Sequence, residues 1–258
     1  MKTSSKLLVG LLAVLMTMIL SFLITARMNA EVRSPEERAS SDHGDVQGNG
    51  QAGIDLRSIT DYTSVALHAN MDVEMSADLE QIEVSAEDNL FGNIITKVDK
   101  GTLHIHWKKG EWARATLPVK IKVPLAQVNT LVINDSGFIT VTDTIVGDTL
   151  RLRGYGNGDM SLAAEVAYLD AEIHGNGNMD VVGSAQHLDL AIYGSGDLSA
   201  FELSAQTAGI HTEGNGGAKV QVAETLKGAT NGRGHIRLKG TADTKDFKAR
   251  NGRLILLE

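Results

Sequence analysis

Through the second half of this chain, apolar and polar residues alternate in short runs, and the runs recur. Leu150, Leu152 and Gly154 lead up to Gly156; Leu169, Ala171 and Ile173 lead up to Gly175; Leu188, Leu190 and Ile192 lead up to Gly194. Ala208, Ile210 and Thr212 precede Gly214, and Leu226, Gly228 and Thr230 precede Gly232. Past the same glycines come Met160 and Leu162, Met179 and Val181, Leu198 and Ala200, Ala218 and Val220, and Ile236 and Leu238. Residues between these positions are mostly polar. Alternation with a period of two predicts half-buried strands on either side of each glycine.

Each of these glycines opens a triplet. The triplets read Gly156-Asn157-Gly158, Gly175-Asn176-Gly177, Gly194-Ser195-Gly196, Gly214-Asn215-Gly216 and Gly232-Arg233-Gly234, with a decayed Asn251-Gly252-Arg253 at the end. First glycines are 19, 19, 20 and 18 residues apart. One strand–turn–strand unit cannot bury its own apolar face, whereas stacked copies can. The repeat therefore predicts a β-solenoid of five to six coils over residues 135–258, with parallel strands roughly 4.8 Å apart and glycine at the corners because the turn needs positive φ. Asn157, Asn176, Ser195, Asn215 and Arg233 form one column, in which stacked Asn side chains are expected to hydrogen-bond along the axis. Arg151 falls one coil from Asp170, and Arg153 one coil from Glu172, so each pair is expected side by side.

Residues 54–134 also read as strands, among them Val65–Leu67, Asp72–Met75, Ile82–Val84, Leu103–Trp107 and Val119–Val123. The triplet is missing there, which predicts an irregular β region; 54–258 can also be read as one continuous domain. Residues 27–53 are polar and rich in Gly, Ser and Glu, as a flexible tether would be. At the N-terminus, Lys2 and Lys6 precede an apolar run from Leu7 to Ala26. This predicts a helical signal peptide or signal-anchor over residues 1–26, the remainder being exported.

Composition narrows the picture. The 258 residues carry a net charge of −8 and no basic stripe with interleaved aromatics, which argues against nucleic acid as a partner. There are no cysteines, so no disulfide framework is in play.

Several residues carry a family resemblance. Glu87-Asp88-Asn89-Leu90, then Ile94-Ile95-Thr96-Lys97-Val98 and Gly101-Thr102-Leu103-His104-Ile105, resemble the first part of the bacterial head GIN domain of putative auto-transporter adhesins. Val123-Pro124, Ser136-Gly137 and the Gly-x-Gly series continue the likeness, which covers about 54–255. The resemblance implies an exported, right-handed parallel β-helix, and the family's name suggests adhesion.

Candidate chemistry is sparse. Gly156-Asn157-Gly158-Asp159-Met160 and Gly194-Ser195-Gly196-Asp197-Leu198 look like calcium-binding β-roll repeats, but the column runs Asp159, Asn178, Asp197, Gly217, His235. Carboxylates on alternate coils lie roughly 9.6 Å apart, too far to share an ion needing six to eight oxygens. His104 and His106 flank Ile105 on one strand face and lack an evident third zinc ligand. Asp170, Glu172, Asp180 and Asp189 could serve a polysaccharide-active site, yet the near-constant repeat leaves no long loops to build a cleft. Tyr155, His174 and Tyr193 share a column on three successive coils and form the candidate binding ladder, with Glu213 next in line.

The sequence thus reads as a non-catalytic cell-envelope module for binding, adhesion or scaffolding, with no metal and no cofactor. A polysaccharide-active enzyme and a calcium-stabilised repeat protein are the alternatives. Expected partners are a cell-surface glycan or protein, and the membrane through the N-terminal segment. The apolar final strand Leu254–Leu257 adds an expectation of self-association through the solenoid end, or capping of that end by the N-terminal region.

Overall fold

The computed structural model describes residues 45–125, 127–244 and 246–257. The predicted signal or anchor helix and most of the predicted tether lie outside the described residues. Val46–Glu258 forms one compact unit, and among the described residues it is all-β apart from a 3₁₀ turn at Asp88–Asn93.

Five long strands carry the repeat: Phe138–Gly156, Asp159–Gly175, Met179–Gly194, Leu198–Gly214 and Ala218–Gly232. Each pairs in parallel with the next, in step with the triplets. Leu150 lies beside Leu169, Leu169 beside Leu188, Leu188 beside Ala208, and Ala208 beside Leu226. Every repeat closes one turn of a solenoid. The alternating apolar residues fill its interior, where Leu169, Leu188, Leu190 and Ile192 are all buried. Burying a side chain of that size contributes about 1.5–3 kcal/mol.

The two corners of a turn differ. At the triplet the backbone takes positive φ, 132° at Gly175, where a Cβ would stand 2.2 Å from the carbonyl oxygen of Gly156. Backbone of successive turns touches there, so glycine is required for space as well as for φ. The second corner is a slip in the alternation. Leu162, Ala164 and Val166 are buried, then Leu169, Ala171 and Ile173, leaving Ala167 and Tyr168 adjacent and half-buried. Skipping one inward position swings the strand onto the other face of the solenoid, as a bulge would.

The first half differs from the expectation of an irregular β region. Ser64–Leu67 pairs in parallel with Thr130–Ile133, and Asp72–Ser76 with the start of the Phe138–Gly156 strand. Thr102–Trp107 and Lys120–Pro124 stack on those two strands, again in parallel. These are further turns of the same solenoid, which has about seven in all. The corner at His68–Met71 contains no glycine, which is why the triplet does not announce it. Chain order is also broken: the turn built from Thr102–Pro124 stacks on the far side of the earlier Ser64–Ser76 turn.

Antiparallel strands close this end. Ala52–Arg57 pairs with Ile82–Glu87, which pairs with Lys120–Pro124, and Ile94–Asp99 folds back on Thr102–Trp107. The hairpin connection uses Lys100 and Gly101 at φ of 49° and 76°, the left-handed geometry a two-residue turn needs. Arg57 pairs with Asp55 and donates to the carbonyls of Ile94 and Phe91, covering the end of the core with satisfied polar groups. At the opposite end Arg253–Leu257 pairs only with His235–Lys239 among the described residues, and Leu256 is 65% exposed.

Candidate binding faces

Parallel register turns sequence columns into spatial columns on two outer faces. The first face is made by the strand segments leading into each triplet. Here Tyr155, His174 and Tyr193 lie in register on adjacent turns. Ring centroids are 5.1 Å apart between Tyr155 and His174, and 4.7 Å between His174 and Tyr193, with planes within 24° of parallel. Tyr193 meets His211 at a tilt, 6.0 Å away. The three rings stack on one another, and that geometry has a consequence. Rings stacked on each other spend their faces internally, so the column presents edges, hydroxyls and imidazole nitrogens to solvent. Glu172 holds His174 Nε2 at 2.6 Å, fixing the middle ring.

A second ladder runs beside the first. Tyr168 and His187 stack at 5.1 Å, and the Tyr168 hydroxyl donates to Asp189 at 2.9 Å. That bond to Asp189 raises the Tyr168 pKa above its usual value, with burial adding to it. Tyr168 and His187 each stand seven residues before a triplet glycine, so the spacing that exposes the first ladder exposes this one equally.

Between the ladders lie the charged columns. Arg151 is in register with Asp170, and Arg153 with Glu172. Arg153 forms both ion pairs, reaching diagonally to Asp170 as well as across to Glu172 at 3.1 Å. Asp170 and Glu172 are thereby tied to one guanidinium, Asp189 to a tyrosine, and Asp180 sits on the other face. Three of these four carboxylates thus share one face, with Asp170 in register beside Asp189, but each is committed to a partner there.

His104 and His106 face outward as expected but diverge. His104 stacks on His68 with a nitrogen–nitrogen distance of 3.2 Å, and His106 Nδ1 lies 2.7 Å from the carbonyl oxygen of Trp107. The His68 pKa is lowered, first by burial and then by its histidine neighbours and Lys109. Among the described residues no group of three or more His, Cys, Asp or Glu is placed to hold a metal ion.

The second face is made by the segments leaving each triplet, and it contains the calcium-like column. The backbone N–H of Asn178 and its side-chain amide both donate to Asp159 Oδ1, at 2.6 and 3.1 Å. Asp197 N–H donates to Asn178 Oδ1 at 3.1 Å, and Gly217 N–H to Asp197 Oδ1 at 2.6 Å. The column is a hydrogen-bonded ladder that pins each turn to the next. Asn176 likewise donates to Asn157 at 2.8 Å at the triplet corner. Beside the Asp159 ladder an open groove of about 400 Å³ crosses several turns, lined by Phe138, Ser161, Asp180 and Lys219 among others.

The family model described as putative auto-transporter adhesin, head GIN domain, matches residues 61–242. The chain belongs to this family. The same GIN solenoid occurs in a putative adhesin from Bacteroides fragilis NCTC 9343, with a TM-score of 0.76 and 19% identity over 82% of this chain and 100% of the other. A putative adhesin from Parabacteroides merdae ATCC 43184 gives 0.70 and 20% identity, over 83% and 99% of the two chains. A putative lipid binding protein from Parabacteroides distasonis ATCC 8503 gives 0.66 and 22% identity, over 83% and 99%. No curated protein matches the chain. At such identities the likeness carries the GIN fold and leaves the chemistry to be argued from this chain's own residues.

Proposed function

We propose that this GIN-domain chain is a non-catalytic, exported binding module of the cell envelope, serving adhesion or scaffolding. One observation carries the reading: the turns from Phe138 to Gly232 form two regular side-chain arrays with no projecting loops. Such arrays suit contact with an extended partner, whereas enzymes on comparable scaffolds build a cleft from loops. Family membership supports the envelope setting. The commitment of Asp170 and Glu172 to Arg153, and of Asp189 to the Tyr168 hydroxyl, supports a non-catalytic role.

The contact surface proposed first is the ladder face, with Tyr155, His174 and Tyr193 presenting polar edges one turn apart. Surface glycans and proteins are the partners that fit it. The apolar run from Leu7 to Ala26 would hold the module at the membrane, and the strand Arg253–Leu257 offers a route to self-association.

Immobilised matrix proteins and glycans, probed with the full chain, test this reading. It expects binding that Tyr155→Ala and Tyr193→Ala weaken while the melting temperature stays high. Release of oligosaccharides from a polysaccharide panel, abolished by Asp170→Asn or Asp189→Asn, would overturn it.

A further inference from the structure

The second face carries an aromatic ring that differs from those of the ladders. Phe138 projects from the Phe138–Gly156 strand and is 51% exposed, between the buried positions Gly137 and Ile139. Its neighbours in register are Asp72 on one side and Asp159 on the other, so no ring covers its face from an adjacent turn. An apolar ring left half in water, at the mouth of the groove of about 400 Å³, is a surface that favours being covered.

The rest of the groove is a graded row of hydrogen-bonding groups. Thr140, Ser161, Asp180, Ser199 and Lys219 are in register on successive turns. Asp159 and Asp197 flank this row, each with Oδ1 committed to a backbone N–H of the next turn. Those bonds orient the carboxylates and leave Oδ2 to accept from a ligand. The turn spacing of roughly 4.8 Å is close to the advance of an extended linear glycan per sugar, so successive sugars fall near successive turns.

We infer that this groove binds a linear glycan of neutral or amino hexoses. One sugar would lay its C–H face on Phe138, and following sugars would donate hydroxyl hydrogens to Asp180, Asp159 and Asp197. The inference rests on the binding-module reading and places the ligand on the opposite face from the ladders. A polypeptide fits less well. Backbone N–H and C=O groups of these strands are paired within the sheet, so an incoming strand finds no edge here, and Phe138 is the single large apolar side chain exposed in the groove. Three carboxylates against one ammonium, Lys219, favour amino sugars and oppose uronic acids.

The test is calorimetric titration of the full chain with cellohexaose, a chitosan hexamer, hexagalacturonate and a decapeptide of alternating Lys and Thr. Expected is saturable binding of cellohexaose or the chitosan hexamer, with hexagalacturonate silent. Phe138→Ala and, separately, Asp180→Ala should each weaken that binding at least about tenfold, while Val146→Ala, at an exposed position outside the groove and the ladders, leaves it within about twofold. Both groove substitutions are at exposed positions, and an unchanged melting temperature separates lost binding from lost folding. Silence of both favoured saccharides, equal binding by hexagalacturonate, or binding indifferent to Phe138→Ala would overturn the inference. Binding of the decapeptide alone would overturn it in favour of a polypeptide ligand. Because the ladder variants are read separately, this outcome would not decide the binding-module reading.

Discussion

Asn178 gives its backbone N–H to Asp159 Oδ1 on the preceding turn at 2.6 Å, in the column where a calcium-binding repeat would place its ligands. The carboxylate acts as an acceptor for the neighbouring turn. The protein should therefore melt at the same temperature with EDTA or with millimolar calcium. Asp159→Ala should cost about 1.5–3 kcal/mol, the range for hydrogen bonds to a charged group. A fall in melting temperature with EDTA, reversed by calcium, would show that the column holds an ion.

Acid should loosen the closed end first. Glu87 is buried and accepts from Thr116 Oγ1, from Thr116 N–H and Leu117 N–H, and from Gly50 N–H. The Thr116 hydroxyl bond, working against burial and helped by the backbone donors, holds its pKa down from 4.5 to about 2. A carboxyl with a depressed folded pKa stabilises the fold at pH above its unfolded value and loses that contribution as pH falls through the folded one. Stability should decline between pH 4.5 and about 2, and Glu87→Gln should flatten that part of the profile. Denaturant titrations across this range provide the measurement; an unchanged slope in the variant would remove Glu87 from the account.

Two glycines should respond very differently to alanine. Gly175 combines positive φ with a Cβ position 2.2 Å from Gly156 O. Gly175→Ala should cost at least about 2 kcal/mol, from strain and displaced backbone. Gly147 meets nothing within 4 Å and has no positive φ, so Gly147→Ala should stay within about 0.5 kcal/mol. Equal effects in chemical denaturation would mean the triplets are not corners.

The difference between these glycines marks how far the sequence alone carries. The triplets were legible because positive φ and backbone contact between turns leave only glycine, repeat after repeat. The interior rows were legible because Leu188, Leu190 and Ile192 alternate with polar neighbours. The turns at Ser64–Ser76 and Thr102–Pro124 were not, since the His68–Met71 corner uses no glycine and the chain stacks them out of order. Of the site residues, the Tyr155 column was visible at the repeat spacing, and Tyr168 with His187 obeyed the same rule. That ring faces would be used up within a ladder, and that Phe138 would have none to stack on, depends on which residues stand in register on adjacent turns.

Inside the core, Thr212 donates its hydroxyl to Thr230 at 2.7 Å, both being buried. Thr212→Val strips the acceptor Thr230 of its donor, and should cost about 1–3 kcal/mol. Replacing both by Val should cost less than the sum of the singles, because no buried polar atom is then left alone. A strictly additive double-mutant cycle would contradict the pairing.

The arrangement of turns is open to direct measurement by nuclear Overhauser spectroscopy on the full chain. Parallel stacking predicts methyl contacts from Leu169 to Leu188 and from Leu188 to Ala208, with cross-strand amide contacts in the register of Asp170 beside Asp189. Strong Hα–Hα contacts between the strands flanking Gly175 or Gly194, the signature of antiparallel hairpins, would contradict it.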